Sequence, residues 1–245
     1  SDWSEACPEA WGVEIIADAS QPTTVGPLFD TVPRCRAGEC TLEAPGFRGA
    51  VSAKRSTAQL HAHTKTRAGD LSYFLRVVLA VEAFVHGGLL FHSAGVIYRN
   101  RGFALFGLSG SGKTTASKLS KPHPVLSDDL VLLQPEGAGR PGWQMHATPF
   151  SKRRGNAQWI TLYALLNLVQ DNQAYLDPLP RPHALAQLVA NSPVISGDLG
   201  YLPDLLDRWE QILNVAPAYA LHFRKDPSFW EVVDVEFGNH SENES

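Results

Sequence analysis

Apolar and polar positions alternate with a short period at the start of the chain, merge into long apolar runs in the middle, and return as helical patterns towards the end. From Ser1 to about Arg67 the pattern is one of short strands and turns. Strands are expected over Trp11–Ala17, Cys40–Ala44, Arg48–Ala53 and Gln59–His63, with a Pro/Thr/Gly turn region at Gln21–Pro27. His61 and His63 would share one face of their strand, and with no third ligand in view they read as surface histidines rather than a metal site. Asp70 reads as a helix N-cap, and Leu71–Val85 as a buried helix stopped by Gly87 and Gly88. Within it Leu71, Phe74, Leu75, Val78, Leu79 and Val85 cover one broad face.

Leu89–Gly102 reads as a strand pair turning at Asn100–Gly102, its second arm continuing into the apolar run Gly102–Phe106. A helix is expected over Thr114–Ser120, a break at Pro122 and Pro124, and a strand-like run over Val125–Leu133. Trp159–Val169 is open: its length favours a helix, whereas Ile160, Thr161 and Tyr163 favour a strand. Asp177–Pro182 reads as a linker. Arg181–Ala190 and Pro203–Val215 are expected as two helices of a C-terminal subdomain, Pro217–Phe223 as a strand and Pro227–Val235 as a last helix. The polar end, Glu236–Ser245, is expected to fray, and no internal repeat is visible. Together these elements predict an α/β fold, with a β-rich part over 1–68 and a larger domain over 69–245.

The chemistry concentrates between Phe103 and Thr115. Gly107, Gly112, Lys113 and Thr114 occupy the fixed positions of the phosphate-loop pattern GxxxxGK[ST], between an expected strand and an expected helix. At ordinary glycine usage a chain of this length meets those positions by chance roughly one time in a hundred. Gly107, Gly110 and Gly112 permit backbone conformations that turn successive N–H groups inward, so that the stretch Ser109, Gly110, Ser111, Gly112, Lys113, Thr114 and Thr115 can wrap a phosphate chain. The helix start adds donors and a positive dipole end. In such a loop Lys113 reaches the β- and γ-phosphates and the Thr114 hydroxyl ligates Mg²⁺.

Composition narrows the picture. A chain of 245 residues that is 44% hydrophobic can build a sizeable core, and a net charge of −4 gives no electrostatic footprint for nucleic acid or an anionic membrane. No apolar run reaches membrane-spanning length, and the N-terminal residues lack a signal peptide's basic start and apolar core. With Ser1 in place of Met, a few native residues are expected to be missing ahead of it. Cys7, Cys35 and Cys40 are too few and too irregular for a disulfide framework, so free thiols in a reducing cytoplasm are expected.

Two further features bear on function. Asp128 and Asp129 interrupt an apolar run, where carboxylates need cations, donors or an open strand end. Beside a phosphate loop such acids hold Mg²⁺ or accept a hydroxyl proton; a plain turn is the alternative. The cluster Lys152-Arg153-Arg154 is either a clamp for the γ-phosphate or an acidic substrate segment, or a solvated loop. His92 alone, within an apolar strand, is more simply a satisfied core residue.

Taken in order, His92-Ser-Ala-Gly, the loop Gly107–Thr115 and Leu126-Ser127-Asp128-Asp129 resemble the catalytic domain of bacterial HPr kinase/phosphorylase and the smaller HprK-related kinases, a group distantly related to ATP-dependent phosphoenolpyruvate carboxykinase. The resemblance covers roughly Leu89–Leu133, with fainter echoes at Ala147–Ser151, Tyr219–Phe223 and Ser228–Trp230. It implies a P-loop core of mixed sheet with flanking helices, a small N-terminal β-rich part and a helical C-terminal part. By position, Asp128 matches the general base, His92 the histidine that assists it, Asp129 the aspartate on the metal side, and Lys113 and Thr114 the phosphate and metal ligands. The segment that serves HPr docking and phosphorolysis has no clear counterpart; Arg154-Gly155 lies in its region without the surrounding pattern. The reading that follows is an ATP- and Mg²⁺-dependent kinase acting on a hydroxyl, first of all a serine of a protein or peptide. A small-molecule alcohol kinase and a non-catalytic nucleotide-binding regulator are the alternatives. The family's hexamer raises homo-oligomerisation as an expectation, and the sequence decides neither the acceptor nor ATP over GTP.

Overall fold

The computed structural model describes residues 11–22, 32–66, 68–121, 123–137, 141–151 and 159–238. Cys7, the Lys152-Arg153-Arg154 cluster, most of the Gln21–Pro27 turn and the tail beyond Gly238 lie outside them. The chain groups into two units, Ser1–Gly87 with Pro193–Leu205 and Gly88–Ser192 with Leu206–Ser245.

In the first unit β1 (Gly12–Ala17), β2 (Arg34–Arg36), β3 (Glu39–Ala44), β4 (Phe47–Ser52) and β5 (Thr57–Ala62) form a sheet of order β1-β5-β4-β3-β2, in which only the β1–β5 pair is parallel among the described strands. Strict alternation produces it: Leu42, Phe47, Val51 and Leu60 are buried, while Glu39, Thr41, Arg48 and Gln59 face solvent. Helix α1 (Ala68–Val85) buries Phe74, Val77, Val81 and Phe84. A Cβ on Gly49 would sit 2.9 Å from the Phe74 ring, so this glycine is what lets the helix approach β4. Asp70 lies inside the first turn and is buried, not ahead of the helix as an N-cap; an acid there still meets the positive end of the helix dipole.

The β2–β3 hairpin turns through Ala37 and Gly38, both with positive φ (50° and 78°), as the right-handed twist of a two-residue hairpin demands. Their amides donate to the fully buried carboxylate of Asp198 at 2.7 and 2.8 Å, just after a 3₁₀ turn at Ile195–Gly197. Cys35 and Cys40 are register partners across this hairpin and are joined by a disulfide, which corrects the expectation of free thiols. The bridge was hidden because β2 carries no sequence signal of its own, so nothing placed the two cysteines opposite one another. Strand β5 ends at Ala62, leaving His63 beyond it, and His61 lies 4.0 Å from Asp18. Among the described residues no group of three or more His, Cys, Asp or Glu side chains is arranged to hold a metal ion.

The second unit contains β6 (Leu89–Phe91), β7 (Ser93–Tyr98), β8 (Arg101–Phe106), α2 (Lys113–Leu119), β9 (Val125–Ser127), β10 (Val131–Pro135), β11 (Trp143–Ala147), β12 (Trp159–Gln170), β13 (Tyr175–Pro178) and α3 (Arg181–Ala190). The division between units falls within α4 (Leu202–Leu213), and β14 (Ala218–Phe223) and α5 (Phe229–Phe237) follow. The described strands form a mixed sheet of order β6-β10-β11-β12-β8-β7-β9, with β14 pairing β12 and β13. Trp159–Val169 is thus a strand, not the helix its length suggested. It is long because β11 pairs with its beginning and β8 and β14 with its later part. The expected linker at Asp177 begins inside β13, and the run Val125–Leu133 is broken at its two acids into β9 and β10. The β7–β8 turn falls at Arg99 and Asn100, with φ of 46° and 59°, one residue ahead of its expected place.

Strands β8, β12 and β14 are mutually parallel, and β9 runs the same way because it is antiparallel to β7, itself antiparallel to β8. Four carboxyl ends therefore share one edge of the sheet. On one face Phe103, Leu105, Leu166, Leu221 and Phe223 pack with Ala116 of α2 and with Phe229, Trp230 and Val233 of α5. On the other, Phe91 meets Phe106 and Trp209, and the Trp209 indole N–H donates to the buried Ser192 hydroxyl at 2.9 Å. Among the described residues no helix is long and apolar enough to cross a membrane.

Candidate active site at the carboxyl ends of the parallel strands

The loop that leaves β8 has the backbone its glycines allow. Gly107, Gly110 and Gly112 have φ of 144°, 83° and 107°, a region that costs other residues strain. Gly112 precedes α2 directly, and the Ser111 amide donates to the Leu108 carbonyl at 3.0 Å, closing the loop on itself. Ser109, Gly110 and Thr114 are exposed, and Ser111 and Thr115 are half-buried. The Ser111 Oγ itself is buried, without a hydrogen-bond partner, and lies 2.8 Å from where a Gly107 Cβ would stand. An orphaned hydroxyl at this point suits a ligand rich in acceptor oxygens.

Lys113 is 9% exposed and folds back over the loop, donating to the carbonyls of Gly107 (2.6 Å) and Leu108 (3.3 Å). Burial pushes its ammonium below the ordinary value of 10.5, and the Asp129 carboxylate opposes that shift. A desolvated cation held by two neutral carbonyls is poised for an anion.

Two supports under the loop come from residues that sequence reasoning missed. Gln170, the last residue of β12, donates its amide N–H to the Gly110 carbonyl at 2.8 Å. Phe223, the last residue of β14, places its Cζ 2.7 Å from where a Gly112 Cβ would be. No local signal marks either, since their roles arise only when parallel pairing aligns the strand ends.

On the β9 side the acid pair sits in a bend. Ser127 Oγ accepts from the amides of Asp129 (3.4 Å) and Leu130 (3.2 Å), and the Thr148 hydroxyl donates to the Leu130 carbonyl at 2.8 Å. Ser151 fixes Asp128 twice, its hydroxyl donating to Oδ1 at 3.0 Å and accepting from the Asp128 amide at 3.4 Å. Ser151 is the third missed residue, although it closes the stretch Ala147–Ser151 that carried part of the family resemblance. His92 stands between β6 and β7, its amide bonded to the Asn191 carbonyl at 2.8 Å and its Nδ1 3.3 Å from Asp129 Oδ1. The resemblance links His92 with Asp128, whereas this contact is to Asp129. Both acids, His92 and the loop thus meet at one edge; Arg153 and Arg154 lie outside the described residues.

No family model matches the sequence, and neither does any curated protein. Among solved structures, the Hpr(Ser) kinase/phosphatase from Coxiella burnetii aligns over 62% of this chain and 95% of its own, at 13% identity and a TM-score of 0.35. That likeness is a distant structural one, and the chemistry of the site rests on its own residues.

Proposed function

We propose that this chain is an ATP- and Mg²⁺-dependent kinase that transfers a γ-phosphoryl group to a hydroxyl, with a serine of a protein or peptide as the preferred acceptor. The observation that carries the reading is the meeting of a buried, carbonyl-held Lys113 with Asp129, His92 and a doubly anchored Asp128 at the mouth of a glycine loop. Phosphoryl transfer asks the protein for positioning, charge neutralisation and a proton acceptor, and little else. Lys113 would exchange its two carbonyls for phosphate oxygens, a charge-assisted and stronger pairing. The loop amides and the Ser111 hydroxyl would hold the chain of phosphates. Thr114 and Asp129 would hold Mg²⁺, which when bound supplies positive charge to the phosphate oxygens. Asp128, its carboxylate oriented by Ser151, takes the acceptor hydroxyl's proton. His92 orients Asp129 and, as the family resemblance implies, assists the proton transfer.

The test is calorimetric titration of ATP, ADP and GTP with and without Mg²⁺, followed by transfer of labelled γ-phosphate to serine-containing peptides. Mg²⁺-dependent binding is expected in the wild type and is lost in Lys113→Ala. Asp128→Asn is expected to keep nucleotide binding and lose turnover. A wild type that binds no nucleotide overturns the proposal; one that binds but transfers to no hydroxyl leaves a nucleotide-binding regulator in its place.

A further inference from the structure

The order of strands gives any nucleotide in the loop a direction. Reading across the sheet, the acids follow β9, then come β7, β8 with its loop, β12 and β14. If the phosphate to be transferred lies towards Asp128 and Asp129, the other end of the ligand must leave the loop on the opposite side, over the ends of β12 and β14. Ligands of open α/β sheets sit in the crevice outside the carboxyl ends of the strands. Here that crevice exists: an open depression of about 590 Å³ walled by Gln170, Asp171, Asn172, Phe223, Arg224 and Lys225.

We infer that this crevice between the carboxyl ends of β12 and β14 is the base-and-ribose site of the nucleotide whose phosphates the loop holds. The inference rests on the phosphate-loop reading above and adds to it the place of the nucleoside. Two spacings of about 4.8 Å carry β14 about 10 Å from β8, a separation on the scale of a nucleoside. The crevice adjoins the loop through two of its lining residues, since Gln170 bonds the Gly110 carbonyl and Phe223 underlies Gly112. Its wall is fixed in advance. Asp171 accepts from the Asn172 amide (2.6 Å) and from the Tyr175 hydroxyl (3.3 Å), and bonds His222 Nδ1 at 2.9 Å, while the Tyr175 and His222 rings stack at 4.0 Å. A carboxylate so engaged supports the wall and is not the group that reads the ligand.

What remains to meet a nucleoside is an exposed amide, Asn172, and two exposed cations, Arg224 and Lys225. The Arg224 guanidinium is paired with Asp226, which steadies a flat cation of the kind that stacks on an aromatic base. An acceptor substrate does not fit this position, since its hydroxyl has to approach on the Asp128 side of the loop.

Two measurements test the assignment. The first compares Mg²⁺-ATP with Mg²⁺-tripolyphosphate, which has the phosphates and no nucleoside, at physiological salt, where exposed charges are screened over about 8 Å. Wild type should bind ATP at least tenfold more tightly than tripolyphosphate. Arg224→Ala with Asn172→Ala should weaken ATP about tenfold and change tripolyphosphate less than twofold, the latter also reporting an intact fold. The second uses the unmodified protein: 8-azido-ATP, photolysed and mapped by mass spectrometry, should label peptides containing Gln170–Asn172 or Phe223–Lys225. Equal wild-type affinity for the two ligands, an unchanged ATP affinity in the double variant, or labelling confined to His92–Arg99 or Asp128–Ser151 overturns the crevice assignment and leaves the loop reading standing. Failure of the wild type to bind either ligand removes the loop reading and this inference with it.

Discussion

Replacing Gly112 by alanine separates two costs that most glycine substitutions combine. The backbone at Gly112 has φ 107° and ψ 13°, a left-handed conformation, and forcing an L-residue into that region costs about 1–2 kcal/mol. Its new Cβ would also stand 2.7 Å from Phe223 Cζ, where carbon atoms prefer about 3.5–4.0 Å. The ring would have to move by about 1 Å, yet Phe223 is 1% exposed and wedged against Phe229. Overpacking of this kind costs about 1–3 kcal/mol, so Gly112→Ala should destabilise by about 2–5 kcal/mol in all. Gly110→Ala is the control: its φ is 83° with nothing within 4 Å of the added methyl, which leaves only the backbone cost of about 1–2 kcal/mol. Urea midpoints of both variants measure the difference. Adding Phe223→Leu to Gly112→Ala should recover about 1 kcal/mol relative to additivity, because the two changes share one space. If Gly112→Ala proves no worse than Gly110→Ala, Phe223 does not support the loop as described.

Three other outcomes follow from the same geometry. Ser151→Ala should lower turnover about 10- to 100-fold, the worth of one hydrogen bond to a charged group, and leave the ATP dissociation constant unchanged in a titration, since the role of Ser151 is to orient Asp128. Burial depresses Lys113, so between its lowered folded value and 10.5 the unfolded chain binds more protons; unliganded stability should therefore rise with pH across that window. Phosphate affinity should fall over the same window as the ammonium discharges, and Lys113→Arg should abolish that fall in a pH series of titrations. Asp198→Ala should cost at least about 1–3 kcal/mol in chemical unfolding by stranding the buried Gly38 amide, with the loss of the half-buried bonds from the Ala37 and Gly200 amides adding to it. Asp198→Asn, which keeps one acceptor oxygen, should recover part of the loss.

What could be read from the sequence was whatever is local. The glycine spacing from Gly107 to Gly112 fixes the loop because each glycine answers a backbone demand at its own position. Leu71–Val85 and Arg181–Ala190 announce their helices through composition and periodicity, and α3 matches its expected span. The rest was set by pairing. Trp159–Val169 looked long for a strand because the average strand has a single pair of neighbours to satisfy, whereas β12 has three partners distributed along it. The Cys35–Cys40 bridge needed the register of a hairpin whose first strand, β2, is only three residues long. In the site the acids, His92 and Lys113 were visible as residue types in a recognisable order. The pairing of His92 with Asp129, the anchoring of Asp128 by Ser151 and the supports at Gln170 and Phe223 were not, since each joins residues that the chain keeps apart.

The position of Phe223 has a consequence for how the protein is made. A chain grows from its N-terminus, and domains generally fold in that order, so the whole GxxxxGK[ST] segment exists long before β14 does. Until β14 is synthesised and inserts beside β12, Gly112 has no aromatic floor beneath it and the loop lacks the strand end that completes its edge. A nascent or prematurely terminated chain therefore carries the full motif without the shape that the motif needs. On the phosphate-loop reading, competence to bind phosphate follows the synthesis of β14 and not that of the motif itself.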